Sequence, residues 1–322
     1  MTTATSVAIR PLQPGEVDEW LALRNPALPW PEDRERFVFS ESLRPADEPV
    51  LLLGAWTPEG RLVGTAECYV GEDGLRLVDR GEAFVVVAPA YRRQRIGGRL
   101  ADEVERFAAA ASLRWLEAIF FERDLPAARP ILEARGFGEM ERYRTSIQQP
   151  ATIDVSSLDS LRESLRRQGI ETVPFSEIDS ASARQQLYRC SMEIQHDMPH
   201  EPNVSWRDSP FEIWERRMFQ APGSSSDAIF VARDADQIVG LSYLVLRADG
   251  DAEVGDTGVV RTHRRRGIGR ALKMMATRYA AERGIQRVHT DNRADNVGML
   301  ALNTQLGFVP GEAIVIFEKT LR

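Results

Sequence analysis

At 322 residues the chain is long for a single hydrophobic core and sufficient for two domains. Hydrophobic residues make up 43% and charged ones 28%, which suits folded globular domains, and a net charge of −7 argues against nucleic acid as a general partner. The only cysteines, Cys68 and Cys190, lie far apart, so neither a disulfide framework nor a zinc knuckle is expected. No apolar run reaches signal-peptide or membrane-span length, so the expectation is a cytoplasmic enzyme with no membrane partner. Lysine occurs only at 273 and 319, an arginine bias that reads as genome composition rather than function.

In chain order, a strand is expected over 6–10, a helix through Trp20 and Leu23, and a second helix over 32–43 that Pro45 ends. Residues 51–70 read as a hairpin turning at Pro58-Glu59-Gly60, followed by a strand at 82–88. Ile96, Leu100, Val104, Phe107 and Ala111 mark one face of a helix. A strand over 114–121, a helix over 127–134 and a strand near 142–148 complete the first half.

The order then repeats. Residues 229–246 copy the hairpin, Arg264–Gly269 copies Arg92–Gly97, and Leu306-Gly307-Phe308 copies Arg135-Gly136-Phe137, at offsets of about 171 to 176 residues. The chain reads as two copies of one α/β domain, 1–148 and 157–322, joined by a linker at 149–156. The second copy opens with a helix over 157–168 that Gly169 closes and a strand over 170–175.

The most informative stretch is Ala252 to Leu272. A valine-bearing strand ends in Arg264-Arg265-Arg266-Gly267-Ile268-Gly269, and Ile268, Leu272, Met275, Ala276 and Tyr279 then mark one helix face. Such a loop sets free backbone N–H groups at a helix N-terminus, where the macrodipole favours an anion and the arginines add forked donors. It lacks the Gly-Lys-Ser/Thr ending of a P-loop and is too compact for a three-glycine dinucleotide fingerprint.

Arg/Gln-x-x-Gly-x-Gly/Ala after such a strand resembles the coenzyme A pyrophosphate loop of the GNAT acetyltransferase superfamily. The hairpin, Thr290-Asp291-Asn292, Asn296, Met299-Leu300 and Leu306-Gly307-Phe308 extend the resemblance over most of 170–322 and, more faintly, over 5–148. Two domains in one chain is similar to the tandem enzymes of that superfamily, of which mycothiol synthase is one type. The resemblance implies, for each domain, a mixed sheet flanked by helices and splayed between its fourth and fifth strands, with acetyl-CoA in the gap. In the second copy those strands are 253–260 and 287–291. Val259, Val260, Arg261, Arg264, Arg265, Arg266, Gly267, Ile268, Gly269, Arg270 and Asn296 are then the coenzyme contacts, the Val259 N–H polarising the thioester carbonyl.

Attack of an amine on a thioester needs a proton acceptor, an oxyanion donor and help for the leaving thiolate. Glu253, eleven residues before Arg264, is the expected base. Asp256 is its understudy: alternation turns it to the opposite face unless a bulge intervenes. Asn303 stands where relatives carry a tyrosine acid; it is read as a coenzyme contact or active-site wall, and Leu132 fills that place in the first copy. The first loop (Val87, Arg92, Arg93, Gln94, Arg95, Ile96, Gly97, Gly98) is a second coenzyme site if the φ of Arg95 is negative, and Gly81 stands where Glu253 does, which points to a structural or coenzyme-binding first half.

For acceptor binding, Glu193 and Asp197 are placed to attract a cationic amine, with Glu201 beside them. His196 and His200 have metal-ligand spacing, but Pro199 breaks the helix they need, so no metal is expected. The leading expectation is an acetyl-CoA-dependent N-acetyltransferase, monomeric or homodimeric, acting on a small-molecule amine, with aminoglycoside-like compounds, polyamines, amino acids and protein N-termini all compatible. The alternative is a non-catalytic acyl-CoA sensor. Nucleic-acid binding fits poorly with the net charge.

Overall fold

The computed structural model describes residues 6–28, 31–45, 48–70, 79–198 and 208–321. The chain forms β1 (Ala8–Pro11), α1 (Val17–Arg24), α2 (Arg34–Leu43), β2 (Val50–Trp56), β3 (Leu62–Val70), β4 (Arg80–Val87), α3 (Ile96–Ala110), β5 (Trp115–Phe121), α4 (Leu125–Ala134) and β6 (Gly138–Gln148). It continues with α5 (Leu158–Arg166), β7 (Ile170–Pro174), α6 (Ala181–His196), α7 (Phe211–Gln220), β8 (Ile229–Asp234), β9 (Gln237–Leu246), β10 (Ala252–Val259), α8 (Ile268–Glu282), β11 (Val288–Arg293), α9 (Val297–Gln305) and β12 (Val309–Thr320). Local chemistry sets these boundaries. Asp33 caps α2 by accepting from the Arg36 N–H, and Ser180 caps α6 through Ala183. Between β2 and β3 the Thr57 carbonyl accepts from the Gly60 N–H, with Gly60 at a φ of 82°.

The described residues fall into two compact units, 6–142 with 312–321 and 143–198 with 208–311. The strand order is β1-β2-β3-β4-β5-β12 in the first unit and β7-β8-β9-β10-β11-β6 in the second. Neighbours are antiparallel except β4–β5 and β10–β11, which are parallel. Each unit is therefore a mixed, open α/β sheet with helices packed on it.

The parallel pairs are short. β10 and β11 pair only at Ala252–Val288 and Glu253–His289, and β4 and β5 only from Arg80–Trp115 to Ala83–Ala118. Beyond those registers the strands part, so both sheets open between their fourth and fifth strands. In the second unit, a Cβ on Gly240 would meet Ile268 and Leu272 of α8, whereas one on Gly258 would lie 2.2 Å from Ile194 of α6. Gly240 is opposite Val259, one residue from Gly258, so α8 and α6 cover opposite faces of the sheet.

Sheet membership departs from chain order. β6 ends the first copy in sequence, yet Tyr143–Gln148 pairs antiparallel with β11. β12 ends the second copy, and its Ile314–Thr320 segment pairs with β5. A boundary at 148 thus describes the repeat rather than the folded units, because an alternating pattern marks a strand without naming its neighbour. The stretch read as linker holds a short turn at Pro150–Thr152, with Pro150 buried and packed beside α8. This turn and α5 pack on α8 in addition to the sheet, and Thr277 bonds Gln148 of β6, so α8 buries Lys273, Met274 and Thr277 as well as the expected apolar stripe.

Candidate active site

The loop before α8 has the conformation its composition suggests. Arg265 and Gly267 both have positive φ, 61° and 90°, and the N-cap residue of α8, Gly267, has no side chain with which to cap its first turn. The N–H groups of that turn stand at the positive end of the helix dipole, which favours an anion. Ile268 is buried in the core, so only its backbone faces outward. Gly269 keeps backbone near Val259, whose Cγ2 would lie 3.8 Å from an added Cβ.

The arginines divide into two sets. Arg264 donates Nε to the Val259 carbonyl (2.8 Å) and a terminal N–H to Asp197 Oδ2 (2.7 Å), while Arg261 pairs with Asp197 Oδ1 (2.6 Å). Arg266 is turned onto Gln168 at the end of α5. Arg265 and Arg270 are exposed and make no ion pair among the described residues. Val260 is buried with its N–H on the Val239 carbonyl, and Asn296 caps α9 through the Met299 N–H.

The carboxylates gather where β10 and β11 part. Glu253 belongs to the last paired position, opposite His289, whose Nε2 lies 2.8 Å from the buried carboxylate of Asp251. Between Val254 and Thr257 β10 carries the bulge that alternation alone left open. The bulge keeps Glu253 on the face of Gly258, toward α6, and it brings Asp256 there too: Gln195 Nε2 of α6 donates to Asp256 Oδ2 at 3.1 Å. Tyr243 lies over the bulge, its ring 2.1 Å from where a Cβ on Gly255 would be. Alternation in the β10–β11–β6 registers adds Asp291, Arg293, Tyr143 and Thr145 to that face. His289 with Asp251, and the residues of β6, escaped sequence reasoning because only the register shows them beside Glu253.

The predicted acceptor residues behave differently. Glu193 is exposed on α6, away from the side that packs on β10, and Asp197 is held by Arg261 and Arg264. His196 lies 2.6 Å from Asp208, whereas Pro199, His200 and Glu201 fall outside the described residues. Among the described residues no group of three or more His, Cys, Asp or Glu is placed to hold a metal. Asn303 is 1% exposed and donates Nδ2 to Asn292 Oδ1 (2.7 Å). Burial pushes both cysteine thiols up to about 12, which keeps them protonated near neutral pH and unsuited to carry an acyl group.

In the first unit two expectations are corrected. Arg95 has a φ of 64°, not a negative value. The left-handed region is what this loop shape requires, since Gly267 occupies it as well, and Arg93 repeats the φ of Arg265. Arg92 likewise donates Nε to the Val87 carbonyl (3.1 Å), as Arg264 does to Val259. Glu82, not Gly81, takes the place of Glu253: Glu82 is opposite Tyr69 on β3, and Glu253 is opposite Val245, the corresponding position of β9. The extra residue in the β10 bulge, which β4 lacks, shifts the alignment by one. The surrounding face is filled by internal ion pairs: Arg24 grips both oxygens of Glu67 (2.8 and 2.9 Å), and Arg80 bonds Glu117 and Glu318.

The description "Acetyltransferase (GNAT) family" matches residues 16–137 and 182–308, the bulk of both copies. The chain belongs to the GNAT acetyltransferase family. It is 28% identical to a mycothiol acetyltransferase of Clavibacter michiganensis over 81% of this chain and 78% of that protein. It is 25% identical to one of Thermobispora bispora over 87% and 91% of the two chains. Among solved structures, a GCN5-related N-acetyltransferase from Sphaerobacter thermophilus superposes with a TM-score of 0.71 at 19% identity, covering 98% of this chain and 96% of that one. A tandem GNAT protein from the clavulanic acid biosynthesis pathway gives 0.71 at 18% identity over 98% of both chains, so the whole tandem fold is shared. No helix of this GNAT chain, among the described residues, is long and apolar enough to cross a membrane.

Proposed function

We propose that the second unit transfers the acetyl group of acetyl-CoA directly to a primary amine of a small molecule, and that this acceptor is the unacetylated amine precursor of mycothiol. The observation that carries the reading is the parting of β10 and β11 immediately beyond Glu253 and His289. It leaves a gap with an uncapped helix N-terminus at one end and carboxylates at its apex. The mycothiol acetyltransferases of similar length support the acceptor.

In this reading the α8 first turn, Arg265 and Arg270 bind the diphosphate, and the Val259 N–H polarises the thioester carbonyl. The amine nitrogen attacks that carbon, Glu253 takes the proton directly or through water, and the C–S bond breaks. A thiol has a pKa of about 8.5, so the thiolate leaves without a strong acid, which accommodates asparagine at 303. The two cysteines stay protonated near neutral pH, which favours direct transfer over an acyl-enzyme. The first unit, whose equivalent face is filled by Arg24 and Arg80, serves as a structural or coenzyme-binding partner.

Calorimetry with acetyl-CoA, paired with steady-state kinetics, tests the assignment. Glu253→Gln is expected to lower kcat by about 10²-fold or more while acetyl-CoA binding persists. Gly267→Tyr is expected to abolish that binding, since every L residue is strained at a φ of 90° and Leu161 is 3.2 Å from the new Cβ. Full activity in Glu253→Gln removes the base from this scheme.

A further inference from the structure

Two buried polar atoms of α6, Ser191 Oγ and Gln195 Oε1, have no hydrogen-bond partner among the described residues. They belong to residues one helical turn apart, on the side of α6 where Ile194 packs against Gly258 of β10. Ser191 is only 1% exposed. Gln195 uses one end of its amide, Nε2, to hold Asp256 Oδ2 at 3.1 Å, within the bulge that follows Glu253. A buried carbonyl oxygen and a buried hydroxyl without partners destabilise a fold, and helix–sheet contacts ordinarily avoid them. Here Gln195 lies against Asp256 in the bulge that follows Glu253, and Ser191 is one helical turn before it.

We propose that Gln195 and Ser191 recognise the acceptor. Gln195 Oε1 accepts a hydrogen bond from an N–H of the incoming amine, and its Nε2 keeps Asp256 oriented. Ser191 bonds a second polar group of the same molecule. The carbonyl oxygen is an acceptor only, so it favours a primary amine over an isostere without N–H. The inference rests on the acetyl-transfer reading above and adds to it residues of α6 other than Glu193 and Asp197.

The test uses the intact chain, acetyl-CoA, and three amines: the mycothiol precursor, glucosamine and spermidine. Wild type, Gln195→Leu and Ser191→Ala are compared on whichever amine wild type acetylates. Gln195→Leu is expected to raise the acceptor KM about tenfold or more, with acetyl-CoA affinity within twofold and thermal stability unchanged or higher. Ser191→Ala is expected to act in the same direction to a smaller extent, and more on glucosamine than on spermidine. An unchanged acceptor KM in Gln195→Leu, or a drop in thermal stability that accounts for the loss, overturns the role of Gln195 while leaving the acetyltransferase reading intact. A wild type that binds acetyl-CoA and acetylates none of the three amines overturns the proposed acceptor chemistry itself, and this inference with it.

Discussion

Lys273 lies in the middle of α8, 3% exposed, with Nζ 5.1 Å from the centroid of the Phe308 ring. Burial alone pushes its ammonium from the ordinary 10.5 down to about 8. The folded chain therefore releases this proton more readily than the unfolded one. As pH falls from 10.5 toward 8 the unfolded chain gains the proton first, so stability falls through that window, and below pH 8 the whole penalty is present. The shift corresponds to about 3 kcal/mol near neutral pH. Lys273→Met, which keeps length and packing, is expected to raise the melting temperature at pH 7, with the gain shrinking toward pH 10.5. Calorimetry at the two pH values checks it; an equal gain at both would mean that packing, not charge, is responsible. At the same scale Arg95 and Gly267 show how far composition can be read. The glycine announced a left-handed position in the second loop, whereas the arginine in the first concealed one, at a cost of about 1–2 kcal/mol.

At the scale of elements, α6 joins the loop before α8, through Asp197, to the Glu253 face of β10, through Gln195. Asp197 follows its last turn, where a carboxylate opposes the helix dipole, and is kept there by Arg261 and Arg264. In the proposed scheme a diphosphate at the α8 N-terminus, held by Arg265 and Arg270, also draws on the guanidinium groups of Arg261 and Arg264 and so competes with Asp197. Asp197→Asn is therefore expected to tighten acetyl-CoA binding by about three- to tenfold, read by calorimetry. Weaker binding would show instead that Asp197 holds the arginines in their binding positions. The loop and its flanking strand and helix were legible because glycine, arginine and apolar periodicity carry direct conformational meaning. The face of Asp256 was not, since a one-residue bulge inverts alternation, and the same residue displaced the match of Glu253 from Glu82 to Gly81. Ser191 and Gln195 were illegible for another reason. They share a helix face with Leu187, Cys190 and Ile194, where pattern alone expects apolar packing.

For the whole molecule, the tandem repeat was readable from recurring motifs, but the partners of its last strands were not. In the first unit Val315 and Phe317 of β12 are fully buried in the core cluster with Leu100, Val104 and Leu116. In the second, Gln148 of β6 donates Nε2 to the Leu306 carbonyl (2.6 Å) and accepts from Thr277 Oγ1 (3.2 Å). A chain ending at 148 thus loses the strand that pairs with β5, and one starting at 149 loses the strand that pairs with β11. Exposing two large core side chains costs about 3–6 kcal/mol, against a total stability of roughly 5–15 kcal/mol for a domain. Residues 1–148 and 149–322 expressed separately are therefore expected to aggregate or self-associate. Expressed together, they should copurify as a one-to-one complex that unfolds cooperatively. Size-exclusion chromatography with calorimetry decides the matter: two soluble monomeric halves, each with a sharp thermal transition, would mean that each sheet is stable without the exchanged strand.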